Sequence, residues 1–216
     1  ELIRLASDTR MGGLISGKAG ILCMHMGSGA NMLNDVFYAI ENTEIPIKTF
    51  LPTHMGRSIP LVSQGMKLAE MGGQIDITAS DPAISDKPAS AMVAYCLRNG
   101  TSPESITISS DGCGSMPRFD EKGECIGLDY TLPKVLLIEL KNCVFKEGIP
   151  LETALRFLTS NPARVIGKQG IKGVLAPGAD ADLIVLDEGL DIVHVMAKGR
   201  HAVHKGETLI KGKFEK

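Results

Sequence analysis

The chain has 216 residues, a formal net charge of −2 and a sequence pI of about 6.2, a balance that offers no basic face to nucleic acid or to an anionic membrane. No apolar run approaches the roughly 20 residues that span a bilayer, and no signal-peptide pattern opens the chain. The five cysteines, Cys23, Cys96, Cys113, Cys125 and Cys143, are odd in number and form no CxxC pair, which predicts free thiols in a reducing cytoplasm.

Glu1 already falls within a helical pattern in which Leu2, Leu5 and Ala6 share a face, so the expectation is a C-terminal part of a longer chain. Short β-type runs follow at 20–26, 49–54, 74–79 and 106–110, rich in Ile, Leu, Met, Thr and Phe as buried parallel strands are. Helical patterns separate them. In 28–41, Ser28 is the expected N-cap for a stripe of Met32, Leu33, Val36, Phe37 and Ile40. Further helices are expected at 58–72, 88–99, 132–147 (after a long polar stretch, 112–131) and 151–158. Gly17 and Gly20 in SGKAG lack the spacing of a phosphate loop and read as turn residues. Cys23 reads as a small buried apolar residue, and Met24, Met66 and Met92 as core.

The alternation predicts an α/β fold with βα units around a parallel sheet. From about residue 169 the texture changes: GVLAPGADADLIVLD, IVHVMAKGRHAVHKGE and TLIKG read as short strands cut by Gly, Pro and Asp turns, with Asp180 and Asp182 as turn residues. The expected division is 1–168, half of a (β/α)8 TIM-like barrel, and 169–216, a β-rich segment completing a small β-sandwich. A whole barrel needs about 250 residues. An open half would expose two sheet edges and an apolar interior, so a missing N-terminal half or another copy of the chain is the expected partner.

Three of the β-runs deliver a candidate ligand at their C-terminal ends. ILCMHMG ends in His25, LPTHMGR carries His54 and Arg57, and ITISSDG ends in Asp111. Barrel active sites sit at that end of the strands. Imidazole nitrogen and carboxylate oxygen suit zinc, and a catalytic zinc keeps a position open for water, whose pKa it lowers to about 7. Asp111 can also take and return a proton. A lone histidine at a strand end is ordinarily a satisfied polar group; two at equivalent places with an aspartate in register favour a site. His194, His201 and His204 fall on alternating or exposed tail positions and read as ordinary surface residues.

Strand-end histidines about thirty residues apart, then a strand ending in SSDG, resemble the zinc amidohydrolase superfamily. LTSNPARVIG followed by KGVLAPGADADLIVLD resembles its closing segment, where the chain leaves the barrel and completes a β-sandwich. More narrowly, HMG, LPTHMGR, GGQIDITAS and SSDGCGSMPRFD resemble the isoaspartyl (β-aspartyl) dipeptidase family, over nearly the whole chain. The resemblance implies that His25 and His54 bind one zinc of a pair, and that Asp111 binds the other and shuttles the proton. It further implies that Arg57 holds a substrate carboxylate and that Ser115 contacts the substrate. The family's HxH pair and bridging carboxylated lysine have no counterpart here and would lie upstream of Glu1, leaving at most weak, partial zinc occupancy. Cys113 stands where the family usually has asparagine.

The implied activity is hydrolysis of the β-linked amide of small isoaspartyl dipeptides by a cytoplasmic homo-oligomer. Two other readings stay open: another amidohydrolase of dihydroorotase, hydantoinase or deacetylase type, and a catalytically silent, truncated half barrel that acts as an assembly module.

Overall fold

The computed structural model describes residues 1–80 and 88–212, so the last four residues of the 169–216 segment lie outside the described residues. Helix α1 (Leu2–Ser16) ends at Gly17, whose left-handed φ of 65° lets its own amide bond back to Leu14 and the Lys18 amide to Gly13. The chain then returns so closely that a Cβ on Gly13 would lie 2.4 Å from the Gly20 Cα.

Four strand–helix units follow: β1 (Leu22–His25), α2 (Asn34–Asn42), β2 (Phe50–Thr53), α3 (Ile59–Glu70), β3 (Ile75–Thr78), α4 (Ala89–Arg98) and β4 (Ile106–Ser109), with the helix after β4 coming only beyond a hairpin. β1 pairs in parallel with β2, Leu22 opposite Phe50, and β3 with β4, Ile75 opposite Ile106. These are units of a TIM-like α/β barrel. Each strand alternates its side chains between two faces. Phe50, Ile75, Ile77, Ile106 and Ile108 point outward into one core shared with Leu61, Val62, Leu68, Val93 and Phe157.

The inward face differs from the apolar interior expected of it. It carries Thr53, Asp76, Thr78, Thr107 and Ser109. The Asp76 carboxylate accepts hydrogen bonds from Thr53 Oγ1 at 2.5 Å, Ser109 Oγ at 2.5 Å and Thr107 Oγ1 at 2.7 Å. Threonine suits a strand and its hydroxyl satisfies a buried carboxylate, so the alternation that sends isoleucines outward lines the interior with polar groups. Cys23 shares this open face with His25 and is exposed rather than buried.

Helix ends follow their caps. Ser58 caps α3 by accepting from the Leu61 amide at 3.3 Å. Ser28 does not cap α2, which starts only at Asn34, because Met32 adopts a left-handed φ of 44° within the preceding turn. Gln64 of α3 supplies the cap instead, its Oε1 accepting from the Leu33 amide at 2.7 Å. At the start of α4, the buried Glu139 carboxylate accepts from the Ser90 amide at 2.8 Å.

The polar stretch 112–131 contains an antiparallel hairpin, β5 (Ser115–Phe119) and β6 (Cys125–Tyr130). Asp120 accepts from the Lys122 and Glu124 amides, both at 2.9 Å, to close its turn, and Arg118 pairs with Asp129 at 3.0 Å across the strands. Helix α5 (Val135–Lys141) passes into a π-helical turn, Asn142–Lys146, and is followed by α6 (Leu151–Leu158) and α7 (Ser160–Val165). The tail forms an antiparallel sheet of β7 (Leu183–Leu186), β8 (Ile192–Ala197), β9 (Arg200–His204) and β10 (Glu207–Thr208), in the order β10-β9-β8-β7. Lys172 bridges Asp180 and Asp182 at its entrance, and those two hydrogen bonds raise the lysine pKa. Among the described residues, no helix is long and apolar enough to cross a membrane.

The LTSNPARVIG segment acts directly on the barrel wall. Asn161 is buried and its Nδ2 donates to the Pro103 carbonyl at 2.8 Å and to the Ile106 carbonyl at 2.7 Å, fixing the entry of β4. Replacing Asn161 with alanine removes both bonds and leaves buried carbonyls unpaired, at an expected cost of about 2 kcal/mol in urea unfolding. An unchanged midpoint would remove this role from Asn161.

Candidate active site

His54 follows β2, and Asp111 stands two residues beyond β4, both with left-handed backbone, φ 63° and 46°. Such angles are uncommon outside glycine and are kept only where the surroundings over-determine them. For Asp111 the surroundings are the turn itself. The Gly112 amide donates to Ser110 Oγ at 3.1 Å, the Gly114 amide donates to the Asp111 carbonyl at 3.0 Å, and the Cys113 amide donates to the Thr131 carbonyl at 2.8 Å. A Cβ on Gly114 would lie 2.9 Å from that Asp111 carbonyl oxygen, so the turn needs glycine there.

His25 ends β1 on the inward face, beside β2. Its Nδ1 lies 3.0 Å from His54 Nε2, and the other nitrogen of His54, Nδ1, lies 2.7 Å from Thr78 Oγ1. Thr78 thereby fixes the orientation of the His54 ring and leaves Nε2 facing His25. One donor atom from each of His25, His54 and Asp111 lies within 4.8 Å of the others. Two imidazole nitrogens and one carboxylate oxygen at such separations suit a zinc-class cation, with positions left for further ligands.

The electrostatics favour a neutral His54. Burial pushes its pKa down from 6.5, the Arg57 guanidinium pushes it further, and Asp111 works in the opposite direction. Neutral imidazole is the form that binds metal. Cys23, on the same inner face, is exposed but partly desolvated by its surroundings, which raises its thiol pKa; Asp76 and then Asp111 raise it further and leave it a poor nucleophile.

Arg57 ends the short helical turn Met55–Arg57 that follows His54. It lines a cleft of about 690 Å³ together with His54, Thr78, Tyr95 and Asp111. The cleft therefore offers a guanidinium and the candidate ligands to one occupant. Ser115 is exposed at the head of β5, opposite Tyr130, and neither it nor His25 is among the residues lining the cleft. Asp76 and Thr78 carry no motif that marks them in the sequence, although the alternation in IDIT already sets both on the face opposite Ile75 and Ile77. His194, His201 and His204, unconnected by spacing, are gathered by the structure into a second cluster.

A sequence profile of the amidohydrolase family matches residues 139–214. The crystal structure of a β-aspartyl dipeptidase from Fervidobacterium islandicum AW-1, in complex with a β-Asp-Leu dipeptide, superimposes with a TM-score of 0.88 at 40% identity, covering 99% of this chain and 56% of that one. A dihydroorotase from Pelotomaculum thermopropionicum is 42% identical over 64 residues, 28% of this chain and 14% of that protein. An N-acetylgalactosamine-6-phosphate deacetylase from Escherichia coli O157:H7 is 32% identical over 63 residues, 29% of this chain and 17% of that protein. The chain thus spans little more than half of the solved relative and smaller fractions of the other two. With strand–helix units of the same architecture and 40% identity to a dipeptidase across nearly all its residues, the chain belongs to the amidohydrolase superfamily.

Proposed function

We propose that this chain supplies part of the active site of a metal-dependent hydrolase that cleaves the β-linked amide of isoaspartyl dipeptides. The observation that carries the reading is the convergence of His25, His54 and Asp111 within 4.8 Å, in a chain 40% identical to a β-aspartyl dipeptidase. His25 and His54 would hold one zinc of a pair and Asp111 the other, in keeping with the chemistry of the donor set. Bound there, the metal supplies positive charge that polarises the scissile carbonyl and acidifies water. The further ligands come from another half of the barrel or from a second copy of the chain, so the isolated 216 residues are expected to turn over negligibly.

The protein groups divide the remaining work. Arg57 grips a substrate carboxylate with its planar guanidinium, and Ser115 contacts the substrate from the β5 side once the dipeptide is seated. Together they hold the β-linked carbonyl in position for attack. As water adds to that carbonyl carbon, a carboxylate oxygen of Asp111 accepts its proton. The same oxygen returns the proton to the amide nitrogen as the C–N bond breaks, releasing aspartate and a free amino acid. Thr78 keeps the His54 ring aligned throughout.

The short identity with a dihydroorotase supports a second reading, in which the same groups open a cyclic amide. In the assembled enzyme, β-Asp-Leu hydrolysis should exceed dihydroorotate hydrolysis by at least about a hundredfold, and Asp111→Asn should lower it by about a thousandfold with an unchanged circular dichroism spectrum. Preference for dihydroorotate selects the second reading; a near-normal rate in Asp111→Asn removes the proton shuttle.

The metal-free chain gives a separate test. A histidine whose folded pKa is depressed contributes stability that is present above its unfolded value of 6.5 and lost as pH falls through the folded value. NMR titration should give His54 a midpoint below 6.5, and Arg57→Gln should move it upward by removing the second contributor to the shift. A midpoint unaffected by Arg57→Gln would separate the guanidinium from the imidazole.

A further inference from the structure

The tail sheet gathers three imidazoles far along the chain from the barrel site. Ligand nitrogens of His194, His201 and His204 lie within 4.8 Å of one another. The ring centroids are 4.8 Å apart for His194 and His204, 5.4 Å for His201 and His204, and 6.2 Å for His194 and His201.

Spacing alone would separate them. His201 and His204 are three residues apart on β9, and a regular strand sends such a pair to opposite faces. A bulge reverses that parity. Val195 pairs with Val203 and Met196 with His201, so one step along β8 matches two along β9, with Ala202 as the extra residue. His201 is thereby turned to the face that carries His204. His194 stands one position beyond Val195 and so comes level with His204.

We propose that His194, His201 and His204 form a second metal site, which binds a zinc-class divalent cation and clamps β8 to β9. Three imidazoles select the borderline metals, zinc, copper(II) or nickel, over calcium and magnesium, whose ligands are oxygens. The donors are already within mutual reach, so binding requires ring rotation and no new backbone path. The Lys205 amide donates to His194 Nδ1 at 3.3 Å, a long contact that gives little resistance to a competing metal. Glu207 pairs with His204 across β9 and β10, which puts a carboxylate on the same face to offset the added charge. His201 and His204 are exposed, so a cation reaches the site from solvent.

The test uses tag-free 216-residue chain carrying His25→Ala and His54→Ala, which removes the barrel donors. Titration with zinc chloride, read by calorimetry and by metal content after dialysis, should give one equivalent. Adding His201→Ala should weaken that binding at least tenfold. In the parent variant, zinc should shift the imidazole resonances of all three tail histidines together and slow amide exchange in β8 and β9. This NMR readout needs no tail substitution and stands even if the His201 variant misfolds. Absence of zinc binding in the parent variant, binding undiminished by His201→Ala, or tail imidazoles unmoved by zinc would each overturn the site.

Discussion

A single buried carboxylate organises the barrel wall. β2 and β3 lie side by side but belong to different two-stranded ladders. Asp76 crosses the gap, accepting from Thr53 on one side and from Thr107 and Ser109 on the other. A carboxylate in such a position would be costly without partners, and three hydroxyls remove that cost while tying three strands together. From Thr53 the chain of hydroxyls runs on to Thr78 at 3.3 Å and then to His54. The ring that faces the candidate metal position is therefore oriented by the same network that holds the strands in place.

That dependence explains why the site is built from strand ends and tight turns rather than from long flexible loops. His54 and Asp111 each leave a strand through a left-handed residue, so the backbone turns sharply and the side chains stay at the mouth. Burial and Arg57 keep His54 neutral and ready to donate a lone pair, while Arg57 itself faces the cleft. One cation is thus set close to the ring and available to an anionic occupant.

The parallel strands were legible because each is a short apolar run, and their ends were legible because His25, His54 and Asp111 interrupt those runs at equivalent places. The polar inner face was hidden by the same runs. In IDIT the outward isoleucines dominate the composition, and only the two-residue alternation separates Asp76 and Thr78 from them. The cap of α2 lay beyond local patterning because Gln64 lies 31 residues from its partner, Leu33. In 112–131 the charged turn residues masked a hairpin whose strands are mostly exposed. The clustering of the tail histidines was hidden for a more general reason: a bulge changes the facing of a side chain without changing the sequence spacing. Facing is a property of the pairing, and pairing is not written in one strand alone.

The break between the two ladders also sorts the metal-binding candidates into mechanical groups. His25 and His54 ride on the plank made of β1 and β2, bound to each other by amide hydrogen bonds along its length. Asp111 extends from the neighbouring plank, β3 and β4. No backbone ladder joins one plank to the other among the described strands, so the hydroxyl bonds of Asp76 help to set the carboxylate of Asp111 against the two imidazoles. The nitrogen pair belongs to one ladder of this centre, and the oxygen to the other.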